Sequence, residues 1–180
     1  MLFSTKAEYG VRLMVELGRR TGADPENSPP VSLTAVAEAE AELGETGRVL
    51  LRPTAVAEAE ALPLSYLEHL VAKLRMAGLV TSVRGAHGGY RIARPPEEIT
   101  MIEVVQALEG PIAPMECFHP DSEGRVLCSH EADSHRACAT KLLWTRVQGG
   151  VTRALAGTTL AELVEFAEAG PSVPLAAQPA

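Results

Sequence analysis

The chain has 180 residues, 46% of them hydrophobic and 22% charged, enough to bury a core and too apolar for a disordered chain. Net charge is −7, which excludes a uniformly basic surface. Three cysteines cannot all pair with one another, which excludes a full disulfide framework and points to a reducing compartment.

The N-terminus shows no basic-then-apolar leader, and no run approaches the roughly 20 apolar residues of a membrane span. The expectation is a cytoplasmic protein without membrane attachment. Charge is unevenly spread. Residues 1–20 carry net +2 and residues 65–95 net +4, against −6 in 21–64 and −7 in 96–180. A local basic patch can engage phosphate while the rest of the surface repels it.

Residues 5–20, TKAEYGVRLMVELGRR, read as an amphipathic helix. Tyr9, Leu13 and Leu17 recur every four residues, and Thr5 with Glu8 matches a capping box. A polar loop with three prolines follows at 21–30. TAVAEAEA then occurs at 34–41 and again at 54–61, a period of 20 residues. Two copies are too few for a solenoid, so the repeat reads as a local duplication, with a helical insert within about 31–52.

Pro63 breaks the second copy, and SYLEHLVAKLRMAG begins a new helix, with Ser65 and Glu68 as the expected cap and Gly78 as the stop. Two helices joined by a short turn form a helix-turn-helix. LVTSV and YRIAR flank a glycine-bearing turn, which is a β-hairpin and, directly after a helix-turn-helix, a wing. Thr100 and Glu103 cap a further helix, MIEVVQALEG. Residues 111–138 hold all three cysteines, and 139–157 form a long helix with Leu143, Val147, Val151 and Leu155 on one stripe. A closing helix follows, and 169–180 reads as a disordered tail. The expected architecture is mainly α with a small β-hairpin wing: a winged helix-turn-helix over 1–98, then the cysteine segment and a long dimerisation helix over 99–168.

Such a fold reads duplex DNA with the start of its second helix, while flanking basic and hydroxyl groups hold phosphates. The candidate contacts are Ser65, Tyr66, Glu68, His69 and Lys73 from that helix, Thr5, Lys6 and Tyr9 from the first helix, and Arg84, His87, Tyr90 and Arg91 from the wing. Glu68 suits a cytosine amine as well as a cap. The cysteine segment admits several chemistries. Cys117, Cys128 and Cys138 could bind iron as thiolates, or zinc with one of His119, His130 and His135, or form a disulfide switch. Cys138 beside His135 could be a nucleophile pair, but no catalytic constellation or phosphate loop accompanies it, so the chain does not read as an enzyme. A winged-helix module that binds a protein partner in place of DNA is the remaining alternative.

The stretch LSYLEHLVAKLRMAGLVTSVRGAHGGYRIARPPEEITMIEVVQALEG, with STKAEYGVRLMVEL before it and LLWTRVQGGVTRALAGTTLAELV after it, resembles the Rrf family of bacterial winged-helix transcription regulators, in particular its IscR-like and NsrR-like members. The resemblance implies a homodimer on a pseudo-palindromic duplex operator. It also implies an iron–sulfur cluster (2Fe-2S or 4Fe-4S) held by Cys117, Cys128 and Cys138, through which redox, nitric oxide or iron–sulfur status is sensed. Here the spacing is C-x10-C-x9-C, longer than the resemblance implies, and Lys141 stands where IscR-like members place a histidine. The fourth ligand is then open: Glu8 of the partner subunit matches the carboxylate ligand of NsrR-like members, and His119, His130 and His135 are its rivals. The duplicated segment has no counterpart in the family pattern.

Overall fold

The computed structural model describes residues 3–22, 24–36, 64–85, 88–113, 119–120, 126–127 and 138–169. Most of the duplication, Cys117, Cys128, His87, His130, His135 and the C-terminal tail lie outside the described residues. Five helices and two small hairpins are described: α1 (Thr5–Thr21), α2 (Leu64–Met76), β1 (Val80–Val83), β2 (Gly89–Ile92), α3 (Met101–Glu109), β3 (His119–Pro120), β4 (Val126–Leu127), α4 (Ala139–Ala156) and α5 (Leu160–Ala169). Ala169, the first residue assigned to a disordered tail, is thus the last of a helix.

α1 buries the face that its periodicity marks: Leu13, Met14 and Leu17 are at most 1% exposed. Its cap is corrected by one position. Ser4, not Thr5, is the N-cap and accepts from the Lys6 backbone N–H, while Glu8 is exposed and bonds Arg12 one turn on. Thr5 is already helical, so its hydroxyl is not in the extended conformation an N-cap needs. α2 likewise begins at Leu64, which places Ser65 inside the first turn and not ahead of it. It ends as expected: Gly78 adopts φ +72°, its N–H donates to Arg75 O, and Leu79 N–H returns to Leu74 O. Glycine tolerates that left-handed conformation without a Cβ penalty.

The core joins Leu67, Leu70, Val71 and Leu74 of α2 to α1, to Val104 and Leu108 of α3, and to Leu160 of α5. Val31, Leu33 and Val36 belong to the same core. Residues 33–36 are helical, with Ser32 Oγ accepting from Ala35 N–H. The first copy of the repeat therefore enters the core at its N-terminal end.

β1 and β2 pair antiparallel, Val80 with Ile92 through Val83 with Gly89. Val31 adds a bridge on the other side of β2, exchanging two 2.8 Å backbone bonds with Tyr90. A Cβ at Gly89 would strike the Val31 carbonyl, so the close approach of this bridging residue needs glycine there. α3 has the capping box expected of Thr100 and Glu103, and Glu103 also bonds Arg94 at 2.8 Å. Thr159 and Glu162 cap α5 reciprocally, while Leu160 N–H donates to Ile99 O and Met101 N–H to Thr158 O. The starts of α3 and α5 are thereby stitched together.

Candidate nucleic-acid interface and cysteine segment

α2 is two-faced. Leu67, Leu70, Val71 and Leu74 are buried, while Ser65, Glu68, His69 and Arg75 are exposed. Helical periodicity alone separates the two sets, because the exposed residues fall between the buried ones on the 3.6-residue repeat. The start of α1 reaches the start of α2 through an edge-to-face contact between Tyr9 and Tyr66, ring centroids 6.1 Å apart and planes at 88°. Arg12 lies 6.0 Å over the Tyr9 ring. This contact brings the start of α1, with Thr5, Lys6 and Tyr9, beside the start of α2. Burial raises the Tyr66 phenol above its ordinary pKa, with smaller contributions from Tyr9 and Glu109, so it faces this surface as a neutral hydrogen-bonding group.

The remaining candidates are placed differently from one another. Arg84 is exposed directly after β1. Tyr90 is half-buried, its backbone committed to Val31 and its ring packed on the core. Lys73 is half-buried and its Nζ donates to the Leu108 carbonyl at 3.0 Å. That carbonyl is among the last of α3, where a cation also offsets the negative end of the helix dipole. Arg91 turns to a different pair of carbonyls, those of Pro25 and Glu26.

The basic character of α1 is also smaller than its composition suggests. Glu16 is buried at 6% exposure and bonds both Arg19 and Arg20, and Glu8 pairs with Arg12. Each pair is one turn apart in sequence, so the signal was present as an i,i+3 or i,i+4 spacing.

In the cysteine segment, β3 and β4 pair His119 with Leu127 and Pro120 with Val126, where the sequence suggested only loop. Two-residue strands leave no alternation to read. This pairing sets side by side the two chain points from which Cys117 and Cys128 are two residues and one residue away. Cys138 is the N-cap of α4, half-buried, with Sγ 3.2 Å from Thr140 Oγ1. Among the described residues, no group of three His, Cys, Asp or Glu side chains could hold a metal ion. Glu8 lies on the exposed face of α1, where it pairs with Arg12.

Contacts that the sequence did not advertise join these parts. Ser4 Oγ donates to a Glu109 carboxylate oxygen, and Gln148 Nε2 of α4 donates to Ile112 O at 2.8 Å. The end of α3 is thereby tied to the α1 cap, and the irregular segment that leaves it to the long helix. α4 itself keeps Leu142 at 61% and Leu143 at 54% exposure. No helix among the described residues is long and apolar enough to cross a membrane.

Residues 42–166 match the Rrf2 family, described as an iron-dependent transcriptional regulator. The chain is 32% identical to the HTH-type transcriptional regulator CymR of Bacillus subtilis over 168 residues, 93% of each chain. It is 36% identical to the HTH-type transcriptional regulator IscR of Aliivibrio salmonicida over 109 residues, covering 61% of this chain and 60% of that one. The solved structure of B. subtilis CymR, the global cysteine regulator, superposes with a TM-score of 0.64 at 32% identity, covering 92% of this chain and 98% of that one. That of T. potens IscR does so at 0.64 and 30% identity, covering 97% and 94%. The mainly helical architecture with its two-stranded hairpin is thus the winged-helix fold of these regulators, and the chain belongs to the Rrf2 family of transcriptional regulators.

Proposed function

We propose that the protein is a cytoplasmic, homodimeric DNA-binding regulator that reports redox or iron–sulfur status through its cysteine segment. The observation that carries the DNA-binding half is the two-faced α2, whose polar residues Ser65, Glu68 and His69 stand exposed beside the start of α1 while its apolar face is locked in the core. In this reading Ser65, Glu68 and His69 meet base edges, Thr5, Lys6 and Tyr9 meet phosphates, and Arg84 with His87 carries the wing into an adjacent groove. Two copies joined along α4, whose Leu142 and Leu143 lack apolar cover within the protomer, would present two reading helices to a pseudo-palindromic site.

The donor set of the cysteine segment fits an iron–sulfur cluster. Cys138 is the N-cap of α4, and the β3–β4 pairing brings together chain points close in sequence to Cys117 and Cys128. Cys117, Cys128 and Cys138 would hold the cluster, with Glu8 of the partner subunit as fourth ligand. When bound, a cluster supplies one-electron redox chemistry whose potential depends on exposure and hydrogen bonding to sulfur. The Thr140 hydroxyl, within hydrogen-bonding distance of the Cys138 sulfur, is placed to tune it.

A second reading, a thiol switch without a cluster, draws on the same Cys138 geometry and on a likeness to the oxidized form of Staphylococcus aureus CymR, 32% identical with a TM-score of 0.59. Zinc analysis separates a third possibility, a zinc site of the three cysteines and one histidine.

Binding to random duplex measured against salt tests the DNA-binding half. Wild-type protein is expected to lose affinity steeply as salt rises, and Arg84→Ala to flatten the slope by about one ion per protomer. Salt-independent or absent binding would instead favour a module that docks on protein.

A further inference from the structure

Arg91 stands on β2 opposite Thr81, and in a sequence reading it is one more cation of the wing. The structure uses it otherwise. Its neighbours Tyr90 and Ile92 pack on the core, while its Nη1 donates to Glu26 O at 2.6 Å and to Pro25 O at 3.1 Å. Its Nε is buried, with no hydrogen-bond partner among the described residues. A side chain half-buried along its length and bonded at its tip to two carbonyls is not lying on the surface as a solvated charge.

The carbonyls it grips belong to a loop with its own internal order. Asn27 donates to Asp24 through both its backbone N–H and its side-chain amide, and the Ser28 hydroxyl contacts the carbonyls of Thr21 and Asp24. The loop is therefore a preformed body, joined to α1 at one end. At its other end it runs into Val31, which pairs with Tyr90. β2 is thus tied to the α1 side of the molecule twice, once through backbone and once through Arg91. A two-stranded hairpin is marginal by itself, so such ties decide the angle at which Arg84 and the wing tip are held.

We infer that Arg91 is a positioning residue that fixes the wing against the 24–28 loop, and that it is not a phosphate contact. The inference rests on the DNA-binding reading above. A guanidinium already shared between two carbonyls would have to give up both to reach a phosphate, whereas Arg84 is exposed and has no such commitment among the described residues.

The experiment compares random-duplex binding across a salt series for wild type, Arg84→Ala, Arg91→Ala and Arg91→Gln. Glutamine removes the charge but keeps an amide donor for a carbonyl. Arg91→Ala is expected to weaken binding by about tenfold at every salt concentration with the slope of wild type, whereas Arg84→Ala lowers the slope by about one per protomer. Arg91→Gln is expected to recover much of the loss, again at the wild-type slope. Hydrogen exchange of the amides at 24–28 is expected to speed up in Arg91→Ala.

A slope lowered equally in Arg84→Ala, Arg91→Ala and Arg91→Gln would overturn the inference, as would unchanged affinity or unchanged exchange in Arg91→Ala. Should Arg91→Ala not fold, the slope of Arg91→Gln decides by itself. Wild type that fails to bind duplex in a salt-dependent way would overturn the DNA-binding reading, while the exchange measurement would still judge the clamp.

Discussion

Val36 lies in the first copy of the duplicated octapeptide and is fully buried, together with Leu33 and Val31. Replacing it with alanine removes two methyl groups from a packed site. At about 0.8 kcal/mol per buried carbon plus a cavity term, Val36→Ala is expected to cost about 2 kcal/mol. For a chain of this size that corresponds to a fall in Tm of roughly 4–8 °C. Thermal and urea unfolding, followed by circular dichroism at matched protein concentration, would read it. A loss below about 0.5 kcal/mol, the range of ordinary surface substitutions, would refute the reasoning. Residue 56 of the second copy offers the same valine in the same octapeptide. A silent Val36→Ala that becomes costly in the Val36→Ala/Val56→Ala double variant would show that either copy fills the slot.

Two further expectations follow from particular contacts. Burial by itself would raise the Glu103 pKa, but hydrogen bonds from Thr100 and from Arg94, with the charge of Arg94, hold it below its ordinary 4.5. A carboxylate with a depressed folded pKa adds stability that is present above 4.5 and is lost as pH falls through the folded value. Glu103→Ala is expected to cost about 1 kcal/mol at pH 7 and to flatten the acid limb of a stability–pH curve; parallel curves for the two proteins would contradict this. Leu143→Glu places a charge beside Leu142 on the exposed apolar part of α4; wild type is expected to sediment as a dimer and the variant as a monomer. An unchanged dimer would move the interface elsewhere.

Much of the DNA-reading half was legible in the sequence because its signals are local. The capping pair Thr100 and Glu103, the glycine at 78, the alternation around the hairpin and the apolar spacing of α2 each act within a few residues. What was not legible depends on distant parts of the chain. The Lys73 ammonium reaches a carbonyl 35 residues away, and Arg91 reaches carbonyls 65 and 66 residues away. Nothing in their immediate surroundings distinguishes them from solvated cations. The cap of α1 was misplaced by a residue because serine and threonine adjoin at 4 and 5, and Ser65 was read ahead of a helix that already includes Leu64. The bridge of Val31 to β2 was missed because a single paired residue has no periodicity. In the cysteine segment, the thiol chemistry was readable from residue type alone, whereas the pairing of His119 with Leu127 was not, because two-residue strands have no alternation to announce them.

The most direct test of the sensing role is anaerobic purification of the full chain, with an absorption spectrum and analysis of iron, acid-labile sulfide and zinc, for wild type and Cys138→Ser. We expect a brown wild-type protein with iron and sulfide in comparable amounts, and loss of the chromophore in Cys138→Ser. A colourless wild type that stays colourless after reconstitution would contradict the cluster reading, and its zinc content would then decide between a zinc site and a thiol switch.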